Sequence, residues 1–332
     1  MKRKIFREYD IRGVFEEDFT LSDIYQLGKA FASLVREKSG VQIVLGRDGR
    51  LSSPSISDSF REGLLFGGAS VTDLGVVPTP LLYFAAHHLK SDGAVMITGS
   101  HNPPTHNGFK IMVGGRPFCG EDLQQLYEAC LLNPVQEQER GSLKVCDWSQ
   151  TYIDFLIKDF RDNYGSSTLK IAWDSGNGAA GNIISSLIHL LPGTHHLINA
   201  EIDGHFPAHH PDPTDPKNMK QLFDVVQKEG CDFGLGFDGD GDRICVIDPK
   251  GRLVWGDQLM SVFAEEVLAA HPGSPILADV KSSQHLFKLI TRLGGKPFLC
   301  KTGHSQIKMK MKELQSPLAG EMLSLIHISE PT

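Results

Sequence analysis

Apolar residues in this chain fall into two kinds of run, and their alternation predicts a layered α/β protein. Val41 to Leu45, Ala69 to Leu74 and Gly93 to Thr98 are short, nearly continuous apolar stretches of strand length, as expected for strands covered on both faces. Between the first two, Ile56, Phe60 and Leu64 recur at every fourth position and so share one helical face. Ser53 as N-cap and Pro54 at the first position open that helix, and Gly67-Gly68 close it. Pro80 to Leu89 reads as a further helix before the third strand. Strands separated by helices imply a mainly parallel sheet.

The pattern lapses and restarts twice. Residues Asn133 to Asp147 are polar, Trp148 to Phe160 is helix-like, and Leu169 to Trp173 begins a new strand, which places a boundary near residue 150. The second unit continues through a glycine-rich turn at Asp174 to Gly181, a Pro- and His-rich loop at His205 to Pro216, and a helix from Lys217 ended by Gly230. Paired strands around Gly239 complete it. A third unit opens near Trp255 with Leu259, Phe263 and Val267 at helical spacing, then a strand at Ile276 to Val280, a helix at Gln284 to Leu293 and a strand at Pro297 to Cys300. The units expected are therefore 1–150, 151–253 and 254–322.

At 332 residues and 40% hydrophobic content, the chain is long enough for more than one core. Its formal charge of −7 and pI near 6.0 argue against a nucleic-acid or anionic-membrane partner, since both reward excess Lys and Arg. The charged start, Met1 to Arg7, has no apolar stretch behind it, and no later run reaches membrane-spanning length, so the cytoplasm is the expected location. Six cysteines are scattered without metal-like spacing and read as reduced packing residues.

The strongest chemical signal is Asp238-Gly239-Asp240-Gly241-Asp242-Arg243, set between the apolar runs Phe233 to Phe237 and Ile244 to Ile247. Three carboxylates separated by glycines can converge on one point, where their repulsion calls for a cation, and oxygen-only donors suit a hard ion such as Mg²⁺. An EF-hand is excluded, because Arg243 stands where its loop needs Gly and Pro249 where it needs Glu. A second candidate is Thr98-Gly99-Ser100-His101-Asn102-Pro103-Pro104, at the end of an apolar strand. Taken alone, that loop is either an Asx-type turn or a nucleophile loop. It is not a serine-hydrolase elbow, which would need glycines at Thr98 and Asn102.

Two stretches match a dinucleotide-binding glycine pattern. Gly234, Gly236 and Gly239 run into a strand and lack the helix that would receive a pyrophosphate. Gly176, Gly178 and Gly181 precede a helix, and either a nucleotide site or a tight packing turn fits them. In Gly46-Arg47-Asp48-Gly49-Arg50 the charges either bind an anion or pair with each other. His195, His196, His209 and His210 read as surface loop residues.

In combination these residues resemble the α-D-phosphohexomutase family, in particular its bacterial phosphomannomutase/phosphoglucomutase group. The resemblance runs from Phe6-Arg7-Glu8-Tyr9-Asp10-Ile11-Arg12-Gly13 to Gly320-Glu321-Met322. Thr98 to Pro103 resembles the family's phosphoserine loop, and Asp238 to Arg243 its magnesium loop. The resemblance implies three tandem α/β domains with mixed sheets. It implies that phosphorylated Ser100 exchanges its phosphoryl group with a hexose 1- or 6-phosphate (mannose or glucose) through a hexose 1,6-bisphosphate. Mg²⁺ would be held by Ser100, Asp238, Asp240 and Asp242. Arg12 and Lys110 would stabilise the transferring group, and His101 would assist proton movement. Tyr9, Arg243, Lys281, His304 and Glu321 would contact the sugar phosphate.

One departure shapes the expectation. The family continues Gly-Glu-Met as Ser-Gly-His and adds a fourth domain, whereas here Met322 is followed by Leu323 to Thr332, which resembles translated adapter DNA. The third domain is therefore expected to be incomplete, the fourth missing, and 323–332 a non-native tail. A monomer is the expected state. An alternative follows, a catalytically incomplete fragment that binds Mg²⁺ and sugar phosphate. A third reading, an aspartate-nucleophile phosphatase using Asp238 and Asp240, meets Asp242 where that motif needs Thr or Val.

Overall fold

The computed structural model describes residues 1–38, 40–132, 139–165, 168–321 and 324–327, with 304–305 and 324–327 described through their backbone only. Met322, Leu323 and 328–332, which hold most of the segment expected to be a non-native tail, lie outside the described residues.

The first unit runs β1 (Ile11–Val14), α1 (Leu21–Lys38), β2 (Gln42–Arg47), α2 (Ser53–Phe66), β3 (Ser70–Val76), α3 (Thr79–His88), β4 (Gly93–Ile97), β5 (His106–Val113), β6 (Arg116–Pro117), α4 (Glu121–Leu132) and β7 (Leu143–Val145). Its sheet has the order β1-β5-β4-β2-β3-β7, with β6 beside β5. The centre is parallel, and β5 runs antiparallel to both of its neighbours β4 and β1. Strand periodicity splits the apolar runs between two faces. Ile43, Leu45, Val95 and Ile97 join Phe31, Phe60, Phe109 and Phe118 under α1, α2 and α4. Val44, Ala94 and Met96 face α3 on the other side. Gly28 and Gly63 bring α1 and α2 into backbone contact, since a methyl at either would run into the carbonyl of Phe60 or Tyr25.

The second unit contains α5 (Ser149–Tyr164), β8 (Lys170–Asp174), α6 (Gly181–Leu187), β9 (Thr194–Ile198), α7 (Lys220–Glu229), β10 (Phe233–Phe237), β11 (Ile244–Ile247) and β12 (Leu253–Val254), with sheet order β12-β11-β10-β8-β9. The buried face of α5, Ile153 and Ile157, packs with Leu81, Leu82 and Ala85 of α3 and with Ile183, tying the first two units together. The third unit contains α8 (Gly256–Ala270), β13 (Pro275–Asp279), α9 (Gln284–Arg292), β14 (Lys296–Cys300), α10 (His304–Leu314), β15 (Leu318–Glu321) and β16 (Ser324–His327), ordered β14-β13-β15-β16. Each sheet is thus mixed, parallel at heart with an antiparallel margin. Among the described residues, no helix is long and apolar enough to cross a membrane.

Three local expectations change. Ser53 lies inside α2 and gives its hydroxyl to Asp48, while Ser52 takes the cap position. The buried stripe of α8 is Met260, Ala264 and Leu268, with Phe263 and Val267 flanking it, one residue round from the predicted face. His195 and His196 belong to strand β9, and His209 is nearly enclosed against Asp174, so these are not surface loop residues.

Candidate active site

Both candidate loops leave the end of a mainly parallel sheet and return in an antiparallel strand. The serine loop joins β4 to β5, and the aspartate loop joins β10 to β11. They meet, although 138 positions separate their central residues. Ser100 Oγ donates to Asp238 Oδ2 at 2.7 Å. Ser100 adopts φ +50°, a left-handed conformation that costs a non-glycine residue about 1–2 kcal/mol. Its N–H donates to Thr98 Oγ1 at 2.8 Å, one of the contacts that hold it there. Gly239 allows the approach, because a methyl on it would sit 2.5 Å from the Ser100 carbonyl oxygen.

The aspartates have separate jobs. Asp238 Oδ1 accepts from the backbone N–H groups of Asp242 and Arg243, both at 3.0 Å, which folds the loop around it. Asp240 Oδ2 accepts from Thr79 Oγ1 at 2.5 Å and Lys110 Nζ at 2.7 Å, while its Oδ1 is buried with no partner among the described residues. Asp242 Oδ2 receives the same Lys110 ammonium at 2.5 Å. One oxygen from each carboxylate lies within 4.8 Å of the others. A buried carboxylate oxygen without a described partner, in a cluster of three carboxylates, fits a hard divalent cation such as Mg²⁺.

Electrostatics follow from this crowding. Burial, and then repulsion by Asp240 and Asp242, push Asp238 well above the usual carboxylate range. Burial acts the same way on Asp240, but Lys110 and Thr79 outweigh it and hold that group below its ordinary value. Lys110 is desolvated, yet the surrounding aspartates keep its ammonium charged, above the usual lysine range. Burial, with Arg243 and Arg12 nearby, pulls His101 down to about 4, so its ring is neutral at pH 7; its Nδ1 lies 3.3 Å from Ser100 Oγ.

The remaining expected residues are spread over all three units. Arg12, on β1, pairs with Asp10 at 2.6 Å and donates to Asn102 Oδ1 at 3.1 Å, which sets it beside the serine loop with no partner for its Nε among the described residues. Tyr9 lies against Gly303 of the third unit, where a methyl would come within 2.7 Å of the ring. Glu321 accepts from Gly303 N at 2.5 Å, and burial raises its carboxyl. Lys281 is exposed on the wall of an open cavity of about 510 Å³ shared with Trp255, Asp257 and His285. The side chain of His304 lies outside the described residues.

One residue of the site carried no local signal, and a second does more than its signal told. Thr79, at the start of α3, anchors Asp240 from the first unit through its hydroxyl and its N–H, which donates to the Asp240 carbonyl at 2.8 Å. Arg50 was legible as a partner of Asp48, and it is, but it also reaches the serine loop. The glycine turn at 176–181 proves to be packing. A methyl at Gly178 would lie about 3 Å from backbone atoms of Asp238 and Gly239, so the turn buttresses the aspartate loop. Gly234 and Gly236 make room for Leu222, Val226 and Met219 of α7 and the residue before it.

Models of phosphoglucomutase/phosphomannomutase α/β/α domains I, II and III match residues 3–132, 150–251 and 255–330 in that order. This chain belongs to the α-D-phosphohexomutase family. A phosphomannomutase/phosphoglucomutase of Pseudomonas aeruginosa is 42% identical over 327 residues, 98% of this chain and 70% of the relative. A phosphoglucomutase of Neisseria gonorrhoeae is 39% identical over 329 residues, 99% of this chain and 71% of the relative. The crystal structure of a phosphoglucomutase/phosphomannomutase family protein from Burkholderia thailandensis superposes with a TM-score of 0.92 at 37% identity, over 98% of this chain and 72% of that one. The chain thus holds three tandem phosphohexomutase domains and spans about 70% of the length of such relatives. Its serine loop lies within domain I and its aspartate loop within domain II, an arrangement in keeping with the general, metal-dependent phosphohexomutase mechanism.

Proposed function

We propose that this chain carries the phosphoryl-donor centre of a hexose phosphate mutase, binding Mg²⁺ and a hexose phosphate around Ser100. The observation that carries the reading is the 2.7 Å hydrogen bond from Ser100 Oγ to Asp238, which puts the one serine of the strand-end loop into the carboxylate cluster. Ser100, Asp238, Asp240 and Asp242 would hold the ion, which when bound supplies positive charge to the oxygens of the transferring group.

Phosphoryl transfer needs positioning and charge neutralisation more than covalent help. Here Arg12 and Lys110 bring two cations to the loop. When Ser100 accepts a phosphoryl group from a 1,6-bisphosphate, its Oγ–P bond forms as the sugar O–P bond breaks. The Oγ–H proton has to leave, and neutral His101, 3.3 Å away, is able to take it and later return it to a sugar oxygen. In the reverse step the free hydroxyl of a hexose phosphate attacks the phosphoserine. Repetition with the sugar turned end for end interconverts hexose 1-phosphate and hexose 6-phosphate, with mannose or glucose as the sugar. Tyr9, Arg243, Lys281, His304 and Glu321 would contact the sugar phosphate.

The chain's coverage of its relatives favours a second reading for these 332 residues by themselves, in which they bind Mg²⁺ and sugar phosphate without turning over. Intact-mass analysis after incubation with glucose 1,6-bisphosphate and Mg²⁺ tests the donor centre. A single phosphate on Ser100, lost in Ser100→Ala, is expected; a protein that never gains one rules the donor reading out. Conversion of mannose 1-phosphate by the same chain would eliminate the second reading.

A further inference from the structure

Arg50 is fully buried, and each of its five N–H groups has an acceptor. Nε donates to Asp48 Oδ2 at 3.1 Å. One terminal nitrogen donates to the carbonyls of Pro103 and His106 at 2.5 and 3.1 Å, and the other to those of Ser100 and Asn102 at 2.7 and 2.6 Å. Four of the five acceptors are therefore backbone carbonyls of the seven-residue stretch 100–106, the serine loop and the first residue of β5, and one belongs to the strained serine itself. A planar fork of fixed geometry is the side chain able to tie four carbonyls of one turn at once. The anchor is held in its turn: Asp48 also accepts from Arg50 N, Gly99 N and Ser53 Oγ, which roots the guanidinium in the first turn of α2.

Two further observations show that the surroundings are shaped to this side chain. At Gly99 a methyl would lie 2.5 Å from Arg50 Cζ and Nε and 2.7 Å from the His106 carbonyl oxygen, so the loop packs too closely on the guanidinium for any side chain there. On the far side, Phe206 of the second unit stacks its ring 5.2 Å from the guanidinium, itself at φ +52°. Gly204 fits against the backbone of residues 49–51, where a methyl would come within 2.6–2.8 Å of Leu51 N, Gly49 O and Arg50 Cα. Arg50 thus touches the loop that bears the nucleophile and the domain that bears the aspartates.

We infer that Arg50 is a positioning residue for phosphoryl transfer: it fixes the left-handed conformation of Ser100 and the register of the serine loop against the second domain. It touches neither substrate nor reacting atoms, and acts through the Ser100 carbonyl. The left-handed backbone turns the hydroxyl toward Asp238, and four carbonyl bonds to one rigid group offset the strain of holding it there. Lysine in its place would keep the charge beside Asp48 but offer at most three donors without the fork.

The inference rests on the donor reading above, and the test separates the two. The time course of Ser100 phosphorylation by glucose 1,6-bisphosphate, followed by intact mass at a series of concentrations, gives a maximal rate and a half-saturating concentration. In Arg50→Lys the maximal rate should fall at least 30-fold with half-saturation within threefold, because the nucleophile is misplaced while the sugar contacts remain. Phe206→Leu, which removes the ring beside the guanidinium without altering the serine loop, should show the same split with a fall of at least fivefold and decides the matter if Arg50→Lys does not fold. Folded variants that keep the maximal rate within threefold, or that change half-saturation alone, overturn the inference. If the unaltered protein takes no phosphate, the donor reading fails. The inference is then judged by hydrogen exchange at the loop amides of Ser100, Asn102 and His106, which Arg50→Lys must accelerate at least tenfold; unchanged exchange overturns it.

Discussion

Asp240 divides its two oxygens. Oδ2 is taken by Thr79 and Lys110, and buried Oδ1 by nothing among the described residues. Replacing Asp240 with Asn should keep most packing and lower Mg²⁺ affinity by at least about 30-fold, near the 2 kcal/mol typical of a bond to a charged group, as read by isothermal titration. His209 offers a pH test away from the aspartates. Its two ring nitrogens face acceptors, Asp174 Oδ2 and the His210 carbonyl, each at 2.9 Å, so the fold prefers the doubly protonated ring. Burial opposes that charge, but Asp174 wins and the pKa is raised. The stabilisation is complete below the ordinary histidine value of about 6.5 and is lost as pH rises through the raised one. Urea unfolding should therefore show the wild-type advantage over His209→Leu shrinking from pH 6 toward pH 9; an advantage that grows with pH would contradict the assignment. The sequence announced the aspartates because like charges crowded between apolar strands have few explanations. It was silent on Thr79, whose meaning lies in a partner 161 positions away.

At the scale of elements, the crossing of α1 and α2 depends on two glycines that bring backbone to backbone. Gly63→Ala should destabilise the chain by more than about 2 kcal/mol in urea titration, although alanine is the better helix former, because the methyl meets the Tyr25 carbonyl. An increase in stability would show that the helices slide apart freely. The α2 helix itself was readable from Ile56, Phe60 and Leu64, all of which are buried. The stripe of α8 was misjudged by one position because its core residues include small Ala264, whose burial no hydrophobic pattern advertises, beside larger Phe263 on the flank. Strand β9 was missed for a related reason. Thr194-His195-His196 carries polar side chains on an edge strand, and Trp173 Nε1 donates to His195 Nδ1 at 3.2 Å, an arrangement invisible without the neighbouring strand. The glycines of β10 looked like a phosphate-binding motif and serve to seat α7 against the sheet.

Across the whole molecule, the third domain closes onto the first. Tyr9 packs on Gly303, and the Lys308 ammonium sits 4.0 Å above the Tyr83 ring, its pKa pulled by burial down to about 8. Gly303 holds φ +130°, open to glycine alone. Gly303→Ala should thus weaken the proposed hexose phosphate binding at least tenfold by opening this seam, while Mg²⁺ affinity stays within twofold, since the residues proposed to hold the ion lie in the first two domains. Loss of both affinities together would show that the seam and the metal loop are one unit. Domain order was legible from restarting apolar patterns; these contacts were not, because each rests on a residue whose partner lies in another domain. The bond between Ser100 and Asp238 has a consequence in time. A ribosome working at roughly 5–20 residues per second makes the serine on the order of 10 s before its aspartate. Through that interval the nascent chain displays a serine that lacks its acidic neighbour, so a donor centre of the kind proposed is assembled only once synthesis has delivered the second domain.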